Sequence, residues 1–189
     1  GLYVGYRYHQ TADVAPAFPF GFGLSYTSFA YSDLKATSDS VTLTVTNTGS
    51  CDGAEIVQIY VAKPDAKVFR PVQELKGFEK VQLAPGETKT VTMELDKRSF
   101  AWYNTELHDW YAASGKYEIL IGASSRDIRL SETIELSSSQ VIPMHIHMNT
   151  TLGELFNNPD TKEAAKELTS RYLAAMNGGS DTASESAAE

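Results

Sequence analysis

The chain has 189 residues, a single cysteine and a formal net charge of -8. That length suffices for one domain of ordinary size, with something left over, that buries most of its apolar surface without metals or disulfides, and a lone Cys51 cannot form an internal disulfide. Dispersed Lys and Arg in an acidic chain argue against a nucleic-acid or anionic-membrane partner, and no apolar run reaches the about 18 residues of a membrane span. The chain starts at Gly1 without a methionine, so the start reads as a cut, and location stays open, cytoplasmic and exported alike.

Residues 1–31 hold nine of the twenty aromatic residues: Tyr3, Tyr6, Tyr8, Phe18, Phe20, Phe22, Tyr26, Phe29 and Tyr31. Residues 2–8 read as one short strand, whereas Pro16, Pro19, Gly21 and Gly23 break up the remainder, so an extended arm is expected that cannot bury its own rings. Each ring left in water forgoes about 1.5–3 kcal/mol of burial. A docking arm is the first reading; a cap on the chain's own core and a set of sugar-stacking platforms are the other two.

The stretch 41–61 organises the rest. Val41, Leu43 and Val45 alternate with threonines, which is half-buried strand chemistry, and Val57, Ile59 and Val61 resume the alternation after a turn rich in Asn, Asp and Gly. These two strands either pair directly or cross between two stacked sheets. Strands are expected at 29–36, 41–48, 54–63, 73–83, 87–96, 101–103, 111–112, 116–123 and 128–136, with no helix among them. Ala84, Pro85 and Gly86 form a tight reversal between two of them. Short antiparallel strands at this spacing favour a two-sheet sandwich over a barrel.

Beyond a polar exit at 137–140, residues 141–148 read as an extended segment. Thr151 to Glu154 has the pattern of a capping box opening a short helix. Asn158, Pro159 and Asp160 are expected to start a second helix with Pro at its first position, carrying Ala165, Leu168, Tyr172 and Met176 on one stripe. Residues 179–189 are small, polar and acidic and are expected to be disordered.

No catalytic set emerges. His145 and His147 would share one face of a strand, with His9 or His108 as a third ligand, but zinc needs three or four converging ligands, so no metal is expected. Gly21, Phe22, Gly23 is followed by Tyr26 where a phosphate loop needs glycine, and no nucleophile elbow surrounds Ser25. Asn149, Thr150, Thr151 is a formal glycosylation sequon. Retaining glycoside hydrolysis needs two carboxyl groups about 5–5.5 Å apart in a cleft. Glu87, Glu94 and Glu118 sit on outward phases instead, and His108 with Asp109 reads as a turn cap beside Trp110. No cofactor site is expected.

Several motifs, in order, carry a resemblance. Residues 18–27, FPFGFGLSYT, look like the segment leading into the C-terminal fibronectin type III-like domain of family 3 glycoside hydrolases, the β-glucosidases and β-xylosidases. Thr46, Asn47, Thr48, Gly49 followed by Gly53, Ala54, Glu55, Val57, Gln58, Tyr60 and Val61 is similar to that family's first core strands. Arg70, Pro71, Val72 and residues 74–80 resemble its most recognisable run, and residues 85–88 with Gly122 and residues 124–128 complete the series. The resemblance implies an all-β, immunoglobulin-like two-sheet antiparallel sandwich at 29–137. It implies that residues 1–28 are a remnant of a preceding α/β sandwich domain plus a linker, reaching this chain without its sheet, and that 138–178 is an extended segment and helical tail. The family's nucleophilic aspartate and acid/base glutamate lie outside this module, so none of its catalytic residues carries over. The implied work is packing against the parent's catalytic domains through Tyr3, Tyr6, Tyr8, Phe18, Phe20, Phe22 and Tyr26, with Arg70 and Glu74 either pairing across that interface or forming a surface ion pair. Polysaccharide is a weaker alternative partner, for an autonomous polysaccharide-binding module, and a structural spacer of a cell-surface protein is the remaining alternative.

Overall fold

The computed structural model describes residues 1–140 and 142–178, without the side chains of 177 and 178. The expected disordered tail at 179–189 lies outside the described residues. The chain divides after Gln140 into two compact units.

In the first unit, β1 (Phe29–Ala36), β2 (Ser40–Asn47) and β5 (Thr88–Glu94) form one antiparallel sheet in the order β1-β2-β5. The second sheet has the order β4-β3-β8-β9, built from β3 (Gly53–Ala62), β4 (Glu74–Leu83), β8 (Gly115–Gly122) and β9 (Ile128–Leu136). A small hairpin, β6 (Trp102–Asn104) with β7 (Asp109–Tyr111), stands apart. The organising stretch therefore crosses between sheets. Val41, Leu43 and Val45 of β2 and Val57, Ile59 and Val61 of β3 belong to one core cluster with Tyr117, Ile119 and Ile121. On the solvent face of β2 the threonines pair across the ladder, Thr42 with Thr92 at 3.3 Å and Thr46 with Thr88 at 2.9 Å.

The crossing is pinned by Asn47, which is fully buried. Its amide donates to the carbonyls of Cys51 (2.8 Å) and Leu83 (3.1 Å), and its side-chain oxygen accepts from the Gly49 amide at 3.0 Å. A buried amide is tolerable because every polar atom is satisfied.

Four expectations need correction. Residues 2–8 are not a strand: Gly5, at φ 59°, turns the chain into helix α1 (Tyr6–Thr11). A four-residue helix, α2 (Lys97–Phe100), stands where none was expected, because Asp96 accepts from the Ser99 amide at 2.8 Å while Ser99 reaches back to the Asp96 amide at 3.2 Å. In the second unit, α3 (Leu152–Asn157) opens on the expected Thr151–Glu154 capping box, but α4 (Lys162–Gly178) begins later than Pro159. Asn158 holds that entry as a turn, its side chain accepting from the Asp160 amide at 2.9 Å and its carbonyl from the Lys162 amide at 3.0 Å. Of the α4 stripe only Ala165 is buried; Leu168, Tyr172 and Met176 are exposed. His145 and His147 lie on no strand, and Nδ1 of His147 accepts from the Asn149 amide at 3.2 Å within a local turn.

Candidate functional site

Most of β3 is buried on both faces, residues 57–62 without a break. Val57, Ile59 and Val61 face the core, and Gln58, Tyr60 and Ala62 face the other way, where an edge-of-sandwich sheet would ordinarily meet water. The N-terminal arm covers that outer face. Tyr6 and Gln10, four apart on α1, sit on one side of the helix. The Tyr6 ring stacks on Phe20 (centroids 4.9 Å apart) and meets Tyr60 edge-on at 5.8 Å, while its hydroxyl accepts from the Leu75 amide at 2.7 Å. Gln10 donates to the Ser125 carbonyl at 2.6 Å, a carbonyl that also accepts from Gln73 at 2.8 Å, and the Ser125 amide donates to the Phe20 carbonyl at 2.8 Å. Arg126 donates to the carbonyls of His9 (3.2 Å) and Val14 (3.1 Å) just past the middle of the helix and beyond its end.

Underneath, Tyr60 donates to the side-chain oxygen of Gln58 at 2.6 Å and Gln58 donates to the Ala123 carbonyl at 2.7 Å. Gly21 passes directly over that amide at φ 81°, and a Cβ there would overlap the Gln58 side chain. Here glycine is required twice, for the backbone angle and for the close approach.

The arm is thus neither extended nor free, and the expectation that it buries none of its rings is corrected at Tyr3 and Tyr6, both turned inward. Tyr8, Phe18, Phe20, Phe22 and Tyr26 remain exposed, Phe18 at 73% and Tyr26 completely. Phe18 and Phe22 contact each other at 5.5 Å, tilted by 40°. Leu24, Ile56 and Phe78 are exposed as well, so the arm continues as apolar surface into the adjoining strands.

Arg70 and Glu74 do not form a surface pair. They meet at 2.8 Å with side chains 6% and 13% exposed, and Arg70 also donates to the Phe100 carbonyl at 3.3 Å. Arg7 of α1 joins at 3.4 Å and Lys76 at 3.7 Å. Burial alone would raise the Glu74 carboxyl, but Lys76, Arg70 and Arg7 outweigh it and hold the group below its ordinary value. Burial pushes the Lys76 ammonium down, which Glu74 offsets only in part. Sequence reading missed Lys76 and Arg7. Lys76 was recoverable, two residues from Glu74 on one strand; Arg7 carries no local signal.

A second ionic cluster lies near the 19–29 segment. Tyr31 donates to Glu55 at 3.0 Å, Arg129 sits 4.7 Å over the Tyr31 ring, and Arg129 grips Asp127 at 2.9 Å. Burial raises both the Glu55 carboxyl and the Tyr31 hydroxyl. Each carboxylate is already committed, Glu55 to a phenol and Asp127 to a guanidinium, so the pair is structural in its bonding. Among the described residues no group of His, Cys, Asp and Glu could hold a metal ion.

Residues 55–125 match the family described as the fibronectin type III-like domain. The chain is 49% identical over 166 residues to thermostable β-glucosidase B of Acetivibrio thermocellus, an alignment covering 84% of this chain and 22% of that protein. It is 49% identical over 141 residues to an exo-α-(1→6)-L-arabinopyranosidase of Bifidobacterium breve, covering 72% and 19%. In structure it resembles a family 3 β-glucosidase of Bifidobacterium adolescentis with a TM-score of 0.77 at 41% identity, over 87% of this chain and 25% of that one. β-Glucosidase 3B of Thermotoga neapolitana gives a TM-score of 0.68 at 42% identity, over 72% and 19%. The chain spans a quarter or less of the length of these relatives and matches their C-terminal part.

Proposed function

We propose that this chain, which carries the fibronectin type III-like domain found in the C-terminal part of family 3 β-glucosidases, serves as a non-catalytic accessory module that packs against and stabilises the catalytic domains of a larger glycosidase. The parent is a retaining β-glycosidase of the β-glucosidase or β-xylosidase kind, with its chemistry upstream of the residues here.

The observation that carries the reading is the division of labour within the arm. One side is fixed to the sandwich by Tyr6, Gln10 and the Phe20 carbonyl; the other presents Tyr8, Phe18, Phe20, Phe22 and Tyr26 to solvent. Rings held rigidly and left bare are costly unless something covers them, at about 1.5–3 kcal/mol each. The 40° tilt between Phe18 and Phe22 supports a packed protein neighbour over a flat strip on which sugar rings would stack. A body bound to this face stabilises the module, and the module it, by linkage.

The test is direct. The purified 189-residue chain is expected to release no nitrophenol from aryl β-glucosides or β-xylosides above the buffer rate; turnover that survives repeated purification overturns the reading.

A further inference from the structure

Between α1 and the β6–β7 hairpin lies a cleft of about 560 Å³. Its charges do not balance. Arg7, Arg70 and Lys76 share the single carboxylate of Glu74, at 3.4, 2.8 and 3.7 Å. Arg98, also lining the cleft, lies 4.2 Å over the Trp110 ring and joins no ion pair among the described residues. The other acid at the rim, Asp96, is occupied in capping α2. Four cations therefore face two carboxylates, one of them also capping α2, in a chain whose net charge is -8. Burial weakens the screening that would make such crowding cheap; burial first, then Arg70 and Arg7, hold the Lys76 ammonium down against the pull of Glu74.

A second observation lies in the same region. Among the described residues the Tyr3 hydroxyl is buried without a hydrogen-bond partner, and its ring packs at 4.7 Å on Phe69, which lines the cleft. Buried polar atoms are almost always paired, so this orphan marks incomplete hydrogen bonding behind the Phe69 side of the cleft.

We propose that this cleft is a socket for a carboxylate side chain, an Asp or Glu carried by the catalytic body of the parent. The inference rests on the reading given under Proposed function. An acidic residue would reduce the positive excess shared by Lys76, Arg7 and Arg98, while Leu2 and Trp102 accept the apolar stem and its neighbours. A tethered segment is favoured over a free anion because relatives extend far beyond the length matched here. Tethering supplies an effective concentration of about millimolar, so a weak contact is enough.

The two tryptophans of the chain, Trp102 and Trp110, both line the cleft, so their fluorescence reads its occupancy. The 189-residue chain is titrated at constant ionic strength with N-acetyl-aspartate methylamide and with its asparagine counterpart. A saturable change with the aspartyl compound alone is expected, with Kd of about 1–50 mM, as a tethered contact requires. Lys76→Met and Arg98→Met should each weaken it about fivefold or more, as loss of one charge-assisted contact does. Should Lys76→Met fail to fold, Arg98→Met decides, since Arg98 is exposed. Equal responses to both compounds, no saturation by about 100 mM, or unchanged affinity in the folded variants overturns the proposal. Inorganic phosphate or glucuronate binding about tenfold more tightly than the aspartyl compound overturns the occupant in favour of a free anion. None of these failures touches the docking face at Phe18 to Tyr26, whose own test is amide exchange.

Discussion

The two faces of the β4-β3-β8-β9 sheet are sealed by different chemistry. On the inner face Val57, Ile59, Val61, Ile119 and Ile121 meet the aliphatic side chains of β2 and β5, and Tyr117 is a polar exception whose hydroxyl donates to the Ala113 carbonyl at 2.9 Å. On the outer face Tyr60 and Gln58 are equally buried, but beneath a helix held by directed bonds: Leu75 to the Tyr6 hydroxyl, Gln10 and Gln73 to one carbonyl, Arg126 to two more. The inner seal depends on volume and tolerates a change of shape; the outer seal depends on angle and distance and tolerates little. The difference explains why the arm stays in place while showing a row of bare rings on its far side. Apart from Phe20, whose ring stacks on Tyr6, its own attachment does not use them.

Leu43→Ala is expected to have the largest effect, about 3–5 kcal/mol, as a fully buried leucine replaced by a cavity. Urea denaturation of the 189-residue chain measures it. Tyr6→Ala should cost about 2–4 kcal/mol by removing the Phe20 and Tyr60 contacts and leaving the Leu75 amide unpaired, whereas Tyr6→Phe should cost only about 1 kcal/mol. If the two variants cost the same, the outer seal is held by its hydrogen bond and not by the ring.

The Glu74 cluster sharpens the comparison through pH. Glu74 is held below its ordinary value, so its contribution is complete above the unfolded glutamate value of about 4.3 and fades as pH falls through the folded one. Glu55 acts with the opposite sign: its raised value means that ionised Glu55 costs stability, and protonation on acidification relieves that cost. Glu74→Gln is therefore expected to lower stability at neutral pH by about 1–3 kcal/mol and to flatten its decline below about pH 4.3. Denaturation midpoints across that range report both. The smallest effect belongs to the exposed rings. Phe18→Ser or Tyr26→Ser should change the stability of this chain by less than about 0.5 kcal/mol, since neither is buried within it.

Legibility in the sequence divides along the same line. Alternation in β2, β3 and β5 and the turn at Asn47 revealed the sandwich because a nonspecific core writes itself as a period of two. The outer seal was not legible. Leu2, Val4, Tyr6 and Tyr8 also alternate, and only the φ of Gly5 and the distant partners of Tyr6 and Gln10 make that segment a helix. The α2 helix escaped notice because its capping box uses Ser99 where Glu or Gln is the usual signal, and α4 starts late because Asn158 holds a turn where Pro159 suggested a first helical position. Of the site residues, the bareness of Phe18, Phe22 and Tyr26 followed from their proline- and glycine-broken surroundings. The burial of Arg70 with Glu74 could not, because the groups that meet them, Arg7 and the Phe100 carbonyl, lie far away in the sequence.

The measurement that bears most directly on the proposed docking face is backbone amide exchange of residues 18–26, in the 189-residue chain alone and in the complete protein proposed as its parent. Slowing by about tenfold or more in the complete protein is the predicted result, since covered and ordered backbone opens less often. Superimposable exchange in the two would contradict the account, because the bare rings would then face water in the parent as well.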